Sequence, residues 1–318
     1  MKKLFFLGML LSVFGTFVLF DMATKAGTYT TEREVLIPRG ANSTVVARKL
    51  KEAGVIEYPQ LFRLIGRFNG LDKKLKAGEY VFAPQMSLVE VMQKIADGDI
   101  FYRRITLPEG LTTTQMLELI MSEPFLSEEI TVAVKEGELL PETYSFVRGD
   151  SRNSIVLQAK RAMQDALLEI WEGREATLPL KNPKELLILA SIVEKETGIP
   201  EERGLVASVF VNRLKKGMML QTDPTVIYAL TNGQQELGRA LTRKDLKIDN
   251  PYNTYKYYGL PPSPICNPGR KALEASARPE QSNYIYFVAS GNGGHNFAKS
   301  LIEHNNNVQK WKKTQRGF

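Results

Sequence analysis

An uncharged run over residues 4–20 opens the hydrophobic pattern, with two lysines before it and Asp21 after it. At about 17 residues it is near the minimum length for a helix that crosses a bilayer. Basic residues ahead of such a run place the N-terminus in the cytoplasm and the following chain outside. A cleaved signal peptide is the alternative, although no clear Ala-x-Ala site follows the run. We therefore predict a transmembrane anchor over residues 1–21 and a polar linker over residues 22–33.

Residues 34–100 carry a shorter pattern of strands and helices. A strand is predicted over residues 34–37, and two helical patterns follow, the first capped by Ser43 or Thr44. Residues 80–82 then have the pattern of a returning strand. This strand–helix–helix–strand order resembles a LysM-like glycan-binding module. The alternative is a small α+β support domain that binds nothing.

A second strongly apolar run lies over residues 186–193. Asn182 and Pro183 before it predict an N-cap and a first helical residue, and Glu185 stands at the capping-box position. Gly198 supplies the stop signal after it. The pattern therefore predicts an apolar helix that carries charged residues at its C-terminal end.

Two glutamates at the end of this helix differ in direction. Counted at about 100° per residue, Glu196 lies on the same face as Ile192 and Val193. Glu194 points to roughly the opposite side, toward solvent. A carboxyl group against apolar neighbours has a raised pKa and holds a proton near neutral pH, as a general acid for glycosidic-bond cleavage requires. The alternative is an ordinary solvated glutamate at a helix end.

The remaining pattern predicts a mixed α+β domain over residues 101–318. Further helices follow the Glu196 helix, and a strand with a Gly-rich turn leads to His295. Residues 247–268 are too rich in Pro, Tyr and Asn for a regular element, and their length is typical of a functional loop. The predicted fold class is therefore α+β, with an N-terminal transmembrane helix, a LysM-like module and a mixed α+β catalytic domain.

The small numbers of cysteine and histidine residues limit the kinds of site that the chain can form. Among the 318 residues, Cys266 is the only cysteine, and His295 and His304 are the only histidines. An internal disulfide is excluded, and neither a structural zinc nor a histidine-dependent triad nor any cofactor is expected. The net charge of +7 suits work beside anionic membranes and wall polymers. Because the charge is scattered and no nucleic-acid motif accompanies it, no nucleic-acid partner is expected.

A series of motifs follows the Glu196 helix along the chain. They stand at residues 190–197 (ASIVEKET), 206–214 (VASVFVNRL), 220–228 (LQTDPTVIY), 252–255 (YNTY), 259–262 (GLPP), 267–269 (NPG), 286–289 (YFVA) and 293–295 (GGH). In wording and order they resemble the endolytic murein transglycosylases, the MltG or YceG-like family. A looser resemblance extends upstream through residues 76–80 (KAGEY) and 108–110 (PEG). One departure is PETY at residues 141–144, where the family often has PDTY.

The resemblance and the helical-face argument select the same catalytic acid, since the family's acid corresponds to the second glutamate of EKET, Glu196. A glycan groove also needs amide, hydroxyl and aromatic groups for sugar hydroxyls, N-acetyl groups and rings. The residues that we assign to this groove are Gln221, Thr222, Asp223, Tyr228, Asn253, Thr254, Tyr255, His295 and Glu142. The alternatives are core packing for each tyrosine, a helix cap for Asp223 and a brace of the hairpin turn for His295.

The resemblance implies a bacterial enzyme anchored by one span in the cytoplasmic membrane, with its catalytic domain outside. It implies cleavage of nascent peptidoglycan strands to 1,6-anhydro-N-acetylmuramic acid ends, beside penicillin-binding proteins. One carboxyl group is sufficient for this reaction, because the 6-hydroxyl of the sugar attacks in place of water. One alternative is a muramidase-type hydrolase that uses Glu196 with Asp223 or Glu142. The other is a non-enzymatic scaffold that binds glycan and wall synthases.

Overall fold

The chain divides into two compact units, each with its own hydrophobic core. The computed structural model describes residues 2–235, 237–291 and 293–316. Unit 1 consists of residues 1–103 and 145–150, and unit 2 consists of residues 104–144 and 151–318. Within the described residues each sheet has two strands.

Unit 1 begins with a long helix, continues in a strand–helix–helix–strand order and adds one more helix. Its elements are α1 (Lys2–Thr24), β1 (Arg33–Ile37), α2 (Ser43–Glu52), α3 (Pro59–Phe68), β2 (Gly78–Phe82) and α4 (Leu88–Asp97). Strands β1 and β2 pair antiparallel, with Val35 opposite Tyr80. Asn42, rather than Ser43 or Thr44, caps α2 by accepting a hydrogen bond from the Val45 N–H. The likeness to LysM modules remains a prediction.

The core of unit 1 lies between the β1–β2 pair and helices α2, α3 and α4. Phe62, Tyr80 and Phe82 are fully buried in it, and the Tyr80 and Phe82 rings stack at a centroid distance of 6.0 Å. Burying aromatic side chains of this size is a main source of stability in a small domain.

The predicted transmembrane helix is wrong. Residues 2–24 do form a helix, but no helix in the described part of the chain is both long and apolar enough to cross a membrane. The uncharged part of α1 covers about 17 residues, or about 26 Å at the helical rise, whereas a hydrocarbon core is about 30 Å thick. What remains of the predicted fold class is a mixture of helices with small sheets.

Unit 2 is mainly helical and contains a C-terminal hairpin. Its helices are α5 (Thr113–Ser122), α6 (Arg152–Glu172), α7 (Pro183–Glu196), α8 (Arg203–Lys215), α9 (Asp223–Thr231), α10 (Arg270–Ala277) and α11 (Leu301–Arg316). The hairpin strands are β5 (Tyr286–Ala289) and β6 (His295–Ala298), which pair antiparallel with Ala289 opposite His295. Two more strands, β3 (Arg103–Thr106) and β4 (Thr143–Phe146), lie where the chain passes between the units.

Helix α7 is the centre of the core of unit 2. All residues from 186 to 193 are buried, and α6, α8, α9 and α10 pack around the helix. Its predicted start is confirmed, because Asn182 accepts a hydrogen bond from the Glu185 N–H at 3.0 Å and Pro183 is the first helical residue. A helix that is apolar on all sides must be enclosed by its neighbours. Its last residue, Glu196, is therefore held at a fixed place.

Candidate active site

Glu196 ends helix α7 in a partly buried position. Burial is the main reason that its pKa is raised to about 7, and the negative charge of Asp223 adds to the rise. A hydrogen bond from Thr222 and the electrostatic effects of His295 and Arg213 act in the opposite direction. Near neutral pH this carboxyl group is therefore present in both its protonated and its ionised form.

Thr222 is the hydrogen-bond donor to Glu196. Its hydroxyl donates to Glu196 Oε1. The threonine is buried and immediately precedes the first residue of α9. Its backbone N–H donates to Thr254 Oγ1 at 3.1 Å, and Thr254 Oγ1 also lies 2.8 Å from Thr225 Oγ1. The two threonines that we assigned to the groove are thus in contact. Thr222 binds the carboxyl group of Glu196, and Thr254 holds Thr222 in place.

Gln221 lies beside Thr222 with an exposed side chain and a left-handed backbone, at a φ of 51°. Arg213 stabilises this bend from α8, donating to the carbonyl oxygens of Met219 at 3.1 Å and Leu220 at 2.8 Å. It also donates to the Ile285 carbonyl at 2.6 Å, just before strand β5. One buried guanidinium therefore holds both segments beside the acid, and burial lowers its pKa.

The sequence analysis did not assign a role to Arg213, although a signal was present. The arginine follows Val206 and Phe210 at helical spacing, so it falls on the buried face of α8. An arginine on such a face needs several hydrogen-bond acceptors, since an unpaired buried charge is costly.

Asp223 and Tyr255 form the next pair beside Glu196. The Tyr255 hydroxyl donates to Asp223 Oδ1 at 2.6 Å, and burial is the main reason that the pKa of Tyr255 is raised. Asp223 is the first residue of α9 and is exposed. It is the carboxylate whose charge acts on Glu196.

His295 reaches the site from the first position of strand β6. Its Nδ1 lies 2.6 Å from Glu202 Oε2, and its backbone N–H donates to Glu202 Oε1 at 2.9 Å. Glu202 was not predicted, because nothing in the sequence distinguishes it from its neighbour Glu201. Its partner is 93 residues away along the chain.

Asn253 does not extend toward a ligand. It is fully buried, and its amide nitrogen donates to the carbonyl oxygens of Leu246 at 3.1 Å and Ile248 at 2.9 Å. Its Oδ1 accepts from the Tyr255 N–H at 3.0 Å. The amide group is thus used within its own loop, where it fixes the backbone that carries Thr254 and Tyr255.

Tyr228 and Glu142 interact with groups other than Glu196. The Tyr228 ring packs in the core against Tyr252 at a centroid distance of 4.9 Å, and its hydroxyl donates to Glu136 at 3.3 Å. Glu142 is exposed, and its charge acts on Arg270. The structure therefore gathers Gln221, Thr222, Asp223, Thr254, Tyr255 and His295 around the acid.

The prediction that Glu194 faces solvent is wrong. Its side chain is 6% exposed, and Oε2 accepts from the Gly269 N–H at 2.9 Å at the start of α10. Oε1 lies 3.6 Å from Arg203 Nη2, and burial is the main reason that the pKa of Glu194 is raised. Glu194 thus joins α7 to α10 and faces away from Glu196, as the helical spacing indicated.

A metal site is not evident among the described residues, where no cluster of three or more His, Cys, Asp or Glu side chains could hold an ion. What the arrangement around Glu196 offers is proton transfer. A partly protonated carboxyl group stands next to a hydroxyl donor, a carboxylate and an imidazole. That set of groups suits general acid–base chemistry.

Comparison with known proteins gives consistent matches. A model described as the YceG-like family matches residues 35–310. An endolytic murein transglycosylase of Bacillus subtilis (strain 168) is 33% identical over 306 residues, which cover 86% of this chain and 83% of the relative. Another of that name, from Streptococcus pneumoniae serotype 2, is 29% identical over 322 residues. The match covers 86% of this chain but only 57% of that longer relative.

A solved structure matches as well. The crystal structure of a yceG-like protein from Listeria monocytogenes superposes with a TM-score of 0.52 at 32% sequence identity. The match covers 86% of this chain and 98% of that one.

Proposed function

The chain belongs to the YceG-like family, and we propose that it is an endolytic murein transglycosylase, a lyase that cuts glycan strands of peptidoglycan. The observation that carries the proposal is the environment of Glu196. Its carboxyl group has a pKa raised to about 7, mainly by burial, so it is able to give and take a proton near neutral pH. The names of the relatives support the substrate and the reaction.

The reaction begins with proton transfer from Glu196 to the glycosidic oxygen. The bond from that oxygen to C1 of N-acetylmuramic acid breaks, and C1 becomes oxocarbenium-like. The ionised Glu196 then takes the proton of the sugar's own 6-hydroxyl, whose oxygen bonds to C1. The product is a 1,6-anhydro ring, and no water is added. This step leaves Glu196 protonated for the next cycle.

The neighbours of Glu196 supply what the two steps require. The Thr222 hydroxyl donates to the carboxylate and stabilises it in the interval when it is ionised. Asp223 places negative charge next to the same site, where it favours the positive charge that develops on the sugar. Gln221 is exposed beside them, and it offers both a donor and an acceptor to an N-acetyl group.

A muramidase-type hydrolase remains the second candidate, and Asp223 is the observation that favours it. A hydrolase needs a second carboxylate as base or nucleophile, and the charge of Asp223 acts on Glu196. Digestion of purified glycan strands in water labelled with heavy oxygen separates the two reactions. The lyase leaves the label out of the new ends, whereas a hydrolase places it in every new reducing end.

We further propose that the enzyme acts outside the cytoplasmic membrane, where peptidoglycan lies, beside penicillin-binding proteins. Cleavage of nascent strands would then end their elongation. The net charge of +7 suits an environment of anionic wall polymers. In-cell cross-linking from exposed positions of unit 2 is expected to capture a penicillin-binding protein, and its absence from all cross-linked products would contradict this partnership.

A further inference from the structure

Glu202 holds the hairpin turn at the residue that faces the catalytic acid. Its carboxylate contacts the backbone N–H of His295 at 2.9 Å and the imidazole Nδ1 at 2.6 Å. The two side chains are 18% and 16% exposed, so both are largely shielded from water. One carboxylate thus fixes both the position of the strand and the orientation of the ring.

Gly294 provides the space for this contact. A Cβ atom at that position would lie 2.5 Å from Glu202 Oε1, too close for a real side chain. Along the chain, Glu202 lies between Glu196 and α8, at the end of a short 3₁₀ helix over Pro200–Glu202. The turn and the segment after the catalytic helix therefore approach each other closely at this contact.

The Glu202 contact selects the tautomer of His295. An ionised carboxylate only accepts hydrogen bonds, so the proton of a neutral imidazole beside it lies on Nδ1. Nε2 then carries a lone pair, and within the described residues it makes no hydrogen bond to the protein. His295 is also close enough to Glu196 to affect the pKa of that carboxyl group. The imidazole with this free acceptor is therefore near Glu196, the acid at which we propose that the glycan binds.

We propose that Glu202 is a positioning residue for catalysis, an inference that rests on the proposed function. It holds His295 with Nδ1 protonated, so that Nε2 accepts a hydrogen bond from a hydroxyl group of the glycan bound at Glu196. Glu202 does not touch the substrate and acts through the imidazole.

Nitrogen NMR of the histidine side chains tests the tautomer directly. The chain has only two histidines, so the His304→Gln variant assigns both signals. Spectra are recorded at alkaline pH, where an ordinary imidazole is neutral. We expect the Nδ1–H form for His295 in the otherwise unchanged protein. A His295 that carries its proton on Nε2 would overturn the proposal, whatever the variants do.

The Glu202→Gln variant tests the consequence for catalysis. Its amide oxygen still accepts from the His295 N–H, but its NH₂ group faces Nδ1, so the ring proton moves to Nε2. Turnover is expected to fall by roughly 10-fold to 100-fold, the range found when a metal-binding imidazole loses the partner that orients it. Glu201→Gln is the matched control, since Glu201 is exposed and adjacent. It is expected to change neither the tautomer nor the turnover.

The outcomes separate this inference from the proposed function. A protein without any cleavage activity on glycan refutes the function, while the NMR result still decides the tautomer. An active protein whose Glu202→Gln variant keeps the Nδ1–H form, or keeps full turnover, refutes the positioning role. Loss of turnover with an unchanged melting temperature and a changed tautomer supports it.

Discussion

At the scale of single residues, Glu196 has an environment that favours its neutral form and neighbours that tolerate its ionised form. Burial raises its pKa to about 7, against an ordinary value of 4.5, while Thr222 donates a hydrogen bond to the carboxylate. A general acid that must also act as a base needs both conditions. The same environment has a cost in stability, because ionising a partly buried carboxyl group is unfavourable.

That cost predicts a pH-dependent gain for Glu196→Gln. The folded-state pKa lies above the ordinary value, so the contribution of Glu196 to stability is fully present below about 4.5 and is lost as pH rises through about 7. Glutamine is neutral throughout. The free energy of unfolding of the Glu196→Gln variant should therefore exceed that of the parent by roughly 1–3 kcal/mol at about pH 8, with little difference at about pH 4.5. Urea titrations at both pH values measure this, and a difference that does not change with pH would contradict it.

A second prediction at this scale concerns Asn253→Ala. Removing the amide leaves the carbonyl oxygens of Leu246 and Ile248 and the Tyr255 N–H without their partner. The expected loss of stability is roughly 2–4 kcal/mol, since each unpaired buried polar group is costly. Thermal melting measures it, with exposed Asn306→Ala as the control. A melting temperature equal to that of the parent would show that the loop does not depend on this amide.

At the scale of elements, the site depends on how neighbouring segments are joined to α7. Helix α8 holds the bend before α9 and the start of β5 through Arg213, and Glu202 holds the turn before β6. Glu194 joins the C-terminal end of α7 to the N-terminus of α10. The acid therefore stands among segments that are distant in sequence and fixed by buried polar contacts.

Replacing Glu194 is expected to loosen α10. Glu194→Ala leaves the Gly269 N–H without its acceptor and removes one carboxylate from Arg203. A loss of roughly 3–5 kcal/mol in the free energy of unfolding is typical when one partner of a buried ion pair is removed. Chemical denaturation beside an exposed control, Glu201→Ala, measures the loss. Equal stability of the two variants would mean that the contact with α10 contributes little.

The sequence predicted the local features of these elements better than their contacts. The cap and first residue of α7, and the orientation of Glu196 opposite Glu194, follow from spacing along one helix. The contact between Glu194 and Gly269 does not follow from this spacing, because the two residues are 75 positions apart in the sequence. We predicted from the sequence that the Asn253 side chain binds the glycan. The loop composition does not reveal that the loop folds around this side-chain amide, which is buried. The prediction of a transmembrane anchor relied on an uncharged run whose length is at the lower limit for crossing a bilayer, and no described helix is long and apolar enough to do so.

At the scale of the whole molecule, the two units have separate hydrophobic cores. Phe62 is fully buried in the core of unit 1, and Phe210 is buried in the core of unit 2. Chains with separate cores commonly depart from two-state unfolding. The chemistry that we propose belongs to unit 2.

Calorimetry tests the separation of the cores. Phe62→Ala and Phe210→Ala should each cost about 3–5 kcal/mol in the affected core. Each is expected to lower a different one of two thermal transitions. A single transition that moves equally in both variants would show that the chain unfolds as one cooperative unit.

The central claim, that Glu196 is the acid and base of a lytic reaction, is tested most directly by mass spectrometry of cleaved glycan strands. The parent protein should produce ends that are lighter than reducing ends by one water, and cuts within strands should appear early. Glu196→Gln should form these ends more slowly by roughly 10²-fold to 10⁴-fold, while remaining folded. Reducing ends from the parent, or near-normal amounts of anhydro ends from folded Glu196→Gln, would contradict the claim.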